Sequence, residues 1–413
     1  MVPFDPGRHP FFPDCAGPGG WESWGMIYAD ANATTPLPPE VLEAMLPWLT
    51  EHYANPSAAH AEGKRARAAI DRARAQVAAM LGAEPAEIVF TGGGTESINA
   101  ALKSLDLLCG AGPAVVSAIE HSAVLRTVEP LARGARRVGV DAGGRLALEE
   151  YAAALEGAGF VSIMTANNET GVIQPLDEVA ELARARGLPV HTDAVQVAGK
   201  IPLDVRPPGV DLLSISAHKF HGPKGVGALY IRKGLRFEPL FRGGGQESGR
   251  RSGTENVAGI VGMGMAAEAA MRWLGAGGDR QLAGWRDEFE NAVGDGLSGV
   301  TMNGDREHRL PNTSHLSFDG CDAAGLLILL DEAGVACSAG SACMTGKQKP
   351  SHVQVAMGIP ESRAKSSLRF GFSRCNTQEE IQAVAAAVIR SVEKLRRVQG
   401  AGVGPVAVYS PPS

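Results

Sequence analysis

The chain has 413 residues and a formal net charge of −6. That length exceeds the roughly 250–300 residues at which a single core stops growing, so two domains are expected. The mild acidity gives no support for a nucleic-acid or membrane partner. Six scattered cysteines without zinc-type pairing point to no metal and to reduced thiols in the cytoplasm.

Residues 1–25 are rich in Pro and Gly, with neither a basic start nor an apolar run. They read as a flexible extension rather than a signal or transit peptide. A large domain is expected over 26–275. Helices are predicted at 39–51 and 58–81, then a strand at 87–91, the turn Gly92-Gly93-Gly94 and a helix from Thr95. Short apolar strands follow at 114–117, 161–164, 190–192 and 212–215, separated by helices such as 176–186. The basic run Arg133 to Arg137 reads as a solvated face. The apolar run 257–267 is too short to span a bilayer and is followed by Glu268 and Arg272, so a buried helix is expected. This alternation predicts an α/β fold, a mainly parallel sheet sandwiched by helices, with ligands outside the carboxyl ends of the strands. After about residue 275 the pattern changes. Strands at 316–318, 336–338 and 368–370 and helices at 323–332 and 377–396 predict a smaller α+β domain over 276–396, and 397–413 reads as a flexible tail.

The strand-following loops collect chemistry. Lys219 ends the apolar strand 212–215 after Ser216 and beside His218. Desolvation there would free its amine for Schiff-base formation, although a lysine on a turn can simply be exposed. Thr91-Gly92-Gly93-Gly94-Thr95 runs from strand into helix, where backbone N–H groups can cradle a phosphate. It is neither a dinucleotide fingerprint nor a P-loop. Asp193 closes a buried strand; it would suit a protonated pyridine nitrogen, or cap the next turn. His121 could stack on an aromatic ring, and the amide at Asn168 could reach a phenolic oxygen. Phosphate loop, His, Asn, Asp, Gln196 and Ser-x-His-Lys, in that order, form the set that pyridoxal phosphate needs.

The chain resembles the cysteine desulfurases, pyridoxal-phosphate enzymes of aminotransferase class V with the fold type I seven-stranded sheet. The resemblance rests on Tyr28 to Pro36, Phe90 to Ser97, Asn167 to Gly171, His191 to Gln196, Ser216 to Lys219, Gly222 to Gly225, Gly243 to Glu247, Arg251 to Thr254 and Cys337 to Cys343, and covers about 27 to 395. It implies that Lys219 forms the Schiff base and Asp193 partners the pyridine nitrogen. Gln196 and Asn168 would contact the phenolic oxygen, and His121 would stack on the ring and shuttle protons. Gly94, Thr95, Ser216 and His218 would hold the phosphate, with Thr254 donated across a homodimer interface. Arg369 would bind the substrate carboxylate, assisted by Asn32 and Asn168.

Cys343 lies in a small, polar segment near Lys347 and Lys349, which favour a thiolate. The resemblance implies that it takes sulfur from L-cysteine as a persulfide, releasing alanine, for a protein acceptor in iron–sulfur cluster assembly or thiolation. Cys337 reads as structural. A selenocysteine lyase is the nearest chemical alternative. An aminotransferase for another amino acid leaves the cysteine loop without purpose. A catalytically inactive assembly partner would be expected to have lost Lys219, Asp193 or Cys343, and all three are present.

Overall fold

The computed structural model describes residues 25–206, 209–339 and 350–400. Residues 1–24 of the predicted extension, residues 401–413 of the predicted tail and Cys343 itself therefore lie outside the described residues, while residues 397–400, expected in the tail, continue the helix Gln378–Gly400.

The larger sheet has seven strands, in the order Ile88–Thr91, Gly227–Ile231, Leu212–Ser216, Val190–Asp193, Phe160–Ser162, Ala114–Ser117 and Ala135–Val138. Only Gly227–Ile231 runs against its neighbours. The others run one way, so their carboxyl ends share an edge. The central strands are buried on both faces, which is why they read as continuous apolar runs. Two strands were not predicted. Ala135–Val138 is an edge strand whose Ala135, Arg136 and Arg137 are exposed, so the solvated arginines and the strand coincide. Gly227–Ile231 follows directly on the glycine-rich turn after Lys219, where Gly225 takes φ +78°.

Helices cover the sheet much as the periodicity predicts. The segment expected as one helix at 39–51 divides into Pro39–Met45 and Pro47–Thr50, because Pro47 has no N–H to continue the ladder. The run 257–267 extends to a buried helix, Val257–Gly275, lying on Ala61–Leu81. Gly264 permits that close approach; a Cβ there would sit 2.7 Å from the Ala73 Cα. No helix among the described residues is long and apolar enough to cross a membrane.

A second core gathers Phe289, Phe318, Phe370 and Phe372 around an antiparallel sheet ordered Ser338–Ala339, Ser367–Gly371, Thr313–Phe318, Val300–Met302. Helices Ala323–Glu332 and Gln378–Gly400 pack on it. The chain start joins this unit: Ile27–Tyr28 pairs in parallel with Val335–Ala336, and Ala29 is buried in the second core. Asp30 to Thr35 then pass between the two cores, a placement that matters for the site.

Candidate active site

A cavity of about 400 Å³ opens at the carboxyl ends of the parallel strands. Gly94 and Thr95, which line it, begin the helix Gly94–Leu108. Gly93 before them has φ +145° and ψ 178°, a region open essentially only to glycine. Gly94 is equally constrained, since a Cβ there would lie 2.7 Å from Val195 Cγ2 and 3.4 Å from Ser216 Cβ. The helix start and Ser216 thus line one cavity with no room for a side chain at Gly94, and the free N–H groups of a helix start suit an anion.

Asp193, Gln196 and His121 also line the cavity. Asp193 is buried, and its Oδ1 accepts from the Val195 N–H at 2.9 Å. Burial raises its pKa, opposed by that bond, by His121 and by Lys219. The His121 Nδ1 caps the helix Ser122–Val128 by accepting from the Ala123 N–H at 3.2 Å. A neutral ring therefore carries its proton on Nε2. Burial lowers its pKa, with Asp193 pulling the other way.

Lys219 follows the strand Leu212–Ser216 in a single 3₁₀ turn. Its Nζ donates to the backbone carbonyls of Asn32 at 2.6 Å and Ala33 at 2.7 Å. Burial, with Arg369 nearby, brings its pKa down to about 8, against the pull of Asp193 and Asp30. The exposed-turn reading of Lys219 is thereby set aside. His218 lines the cavity too, with its Nδ1 3.1 Å from Thr34 Oγ1; burial and three lysines lower it to about 4, so it is neutral.

Opposite stands Arg369, buried on the strand Ser367–Gly371. Its Nη2 donates to Asp30 Oδ1 at 2.7 Å and Nη1 to the Asn168 carbonyl at 2.9 Å. Its Nε is buried with no partner among the described residues. Asn32 and Asn168 line the same cavity. The Asn32 carboxamide is occupied elsewhere, giving to Thr313 Oγ1 at 2.9 Å and accepting from Asn312 Nδ2 at 2.8 Å. It ties the second core to the site, while its carbonyl receives Lys219.

One expected site residue among those described does not line the cavity. Thr254 is exposed, in a segment fastened by Arg251 to Glu96 of the Gly94–Leu108 helix at 2.9 Å. Cys343 lies outside the described residues, but the residues flanking 340–349 are held at the cavity. Ser338 pairs with Arg369 and donates to Asp30 Oδ2 at 2.8 Å. On the other side Ser351 donates to Glu169 Oε1 at 2.7 Å, and His352 Nε2 lies 2.9 Å from the carbonyl of Glu120, which precedes His121. Cys337 has its thiol pushed up to about 12 by burial, in keeping with a structural role. No cluster of three or more metal-type ligands occurs among the described residues.

Sequence reasoning assigned no role to Asp30 or Lys200. Asp30 sits within the quoted Tyr28 to Pro36 motif, yet only the fold shows that it faces Arg369. Lys200 sits just past the Asp193–Gln196 motif, where a lysine ordinarily reads as solvated; it is buried.

The family model of aminotransferase class V matches residues 27–384. The chain belongs to that family. Within it the chain stands with the cysteine desulfurases. It is 45% identical to a cysteine desulfurase of Gluconacetobacter diazotrophicus, over 93% of this chain and 98% of that one. It is 43% identical to the cysteine desulfurase NifS of Azotobacter vinelandii, over 92% of this chain and 96% of that one. Among solved structures it is similar to a NifS-like protein, with TM-score 0.82, 37% identity and coverage of 91% and 99%. It is also similar to SspA in complex with cysteine, with TM-score 0.73, 34% identity and coverage of 84% and 98%.

Proposed function

We propose that this chain is a pyridoxal-phosphate-dependent cysteine desulfurase that converts L-cysteine to L-alanine and leaves the sulfur on Cys343 as a persulfide. The observation that carries it is the flanking of 340–349: Ser338 is paired to Arg369 on one side and His352 touches the carbonyl before His121 on the other. These flanks support a reading in which Cys343 works at the cavity lined by Lys219, Asp193 and Arg369.

The residues fit the cofactor. The helix start at Gly94 and Thr95, with Ser216 and His218, would take the phosphate, Asp193 the pyridine nitrogen, Gln196 and Asn168 the phenolic oxygen, and Lys219 the aldehyde carbon. When bound, the group supplies an electron sink that labilises the bonds at the substrate α-carbon. Arg369 orients the substrate carboxylate through a fork of donors. Lys219, with a pKa of about 8, can hold or release a proton at the α-carbon near neutral pH. His121, its Nε2 free of the capping bond, moves a proton at the substrate or Cys343 sulfur. The Cys343 thiolate takes the substrate sulfur as the Cβ–S bond breaks; cysteine plus thiol gives alanine plus persulfide, with no external oxidant.

We further infer a homodimer in which Thr254 reaches the neighbouring phosphate, a cytoplasmic location, and a protein sulfur acceptor. Support for the first is the exposure of Thr254 on a segment fixed beside the phosphate helix. The decisive experiment is mass spectrometry of Cys343 after incubation with L-cysteine, alongside alanine measurement. Alanine with a one-sulfur mass increment on Cys343 is expected; stoichiometric alanine with unmodified Cys343 would overturn the persulfide step.

A further inference from the structure

Lys200 is buried, yet it lies behind the site rather than in it: it does not line the 400 Å³ cavity. It is brought there by Gly199, whose φ of +71° turns the chain where a Cβ would strike Phe220 Cβ at 2.6 Å. The Lys200 Nζ donates to Gln196 Oε1 at 2.9 Å, and both residues are buried. Gln196 Nε2 donates to the Asn32 carbonyl at 3.0 Å, the same oxygen that accepts from Lys219 Nζ at 2.6 Å. The carboxamide is therefore gripped at both ends. The Asn32 carbonyl can only accept, so that grip does not survive an amide flip. Nε2 carries two hydrogens; one goes to Asn32 and the other is left for the cavity that Gln196 lines.

The surroundings offer Lys200 little else. Lys219 and Arg369 repel its charge across the site, and His221 and Arg374 share a small cavity with it that no carboxylate among the described residues lines. A buried lysine without an acidic partner is poor as a stability device. It gives its hydrogen bond to the Gln196 carboxamide.

We propose that Lys200 is a positioning residue, which holds Gln196 by its amide oxygen so that an N–H of Gln196 faces the phenolic oxygen of the bound cofactor. This rests on the reading that the cavity takes pyridoxal phosphate. The test is a double-mutant cycle of Lys200→Met and Gln196→Ala in the cofactor-loaded protein. Two quantities are read: kcat for alanine formation, and the pH midpoint of the visible absorption change of the resting protein. Each single variant is expected to lose about tenfold in kcat and to move the midpoint in the same direction, with the double variant no worse than Gln196→Ala alone. Losses that multiply in the double variant, or a midpoint that Lys200→Met leaves in place, would overturn the proposal. Wild-type protein that yields no alanine from cysteine would instead sink the functional reading, while the spectral cycle would still decide the role of Lys200. If Lys200→Met does not fold, Lys200→Ala, which also removes the donor, replaces it in the cycle.

Discussion

Opposing forces act on the Lys219 amine: burial and Arg369 push its pKa down from 10.5 to about 8, while Asp193 and Asp30 resist. Only the neutral amine attacks a carbonyl, so cofactor uptake by cofactor-free protein should speed up with pH, with a midpoint near 8 by stopped-flow absorbance. A rate independent of pH between 7 and 9 would contradict this desolvated lysine. The linkage runs the same way. Between about 8 and 10.5 the unfolded chain holds the extra proton, so the penalty of burying this amine fades as pH rises through that window. Glu120 behaves oppositely. Burial raises it from 4.5 to about 8, so the folded state holds the extra proton and stability falls with rising pH across that range. Glu120→Gln can still accept from Ser117 Oγ and Met164 N–H through its amide oxygen. Its Tm advantage over wild type should therefore grow from pH 5 to pH 8; a constant gap would show that Glu120 does not titrate. Arg369→Lys keeps charge but loses the fork that spans Asp30 and Asn168. The KM for cysteine should rise about tenfold or more, with a smaller change in kcat.

Elements show which parts of the fold and site were legible in the sequence. Strand 212–216 was readable because it is apolar throughout and ends in polar, glycine-rich residues, which also placed Lys219. Helix Gly94–Leu108 was readable from its glycines, and for a local reason: Gly93 occupies a conformation other residues avoid. Gly93→Ala should destabilise the protein by about 1–3 kcal/mol and weaken phosphate-ester binding, measured by denaturant unfolding and cofactor titration. What escaped were pairings across long separations. Asp30 meets Arg369, and Lys200 meets Gln196 deep under the site, because the turn at Gly199 directs a lysine inward. Hydropathy patterns report which face an element buries, and a charged residue buried by tertiary contact looks like any solvated one. Strand Ala135–Val138 escaped for the complementary reason: edge exposure removes the apolar signal.

Across the whole molecule, the segment bearing Thr254 is secured by charge. Glu247, with φ +49°, accepts twice from Arg74 at 2.7 Å and once from the Phe90 N–H at 2.9 Å. Arg74→Ala would strand a buried carboxylate, with an expected loss of about 3–5 kcal/mol in chemical unfolding. If Thr254 completes a neighbour's phosphate site, the same variant should also weaken cofactor retention in the dimer, and an unchanged cofactor Kd would separate the two roles. The pairing of Ser338 with Arg369 has a further consequence, for reach. It makes Arg369 the anchor of the segment that leads to Cys343. At about 3.6 Å per residue, Cys343 can stray no more than roughly 18 Å from Ser338. On the proposed function, sulfur collection is thus confined to a short leash from Arg369. Residues inserted between 339 and 343 would lengthen that leash step by step, whereas residues added after 343 would leave it unchanged.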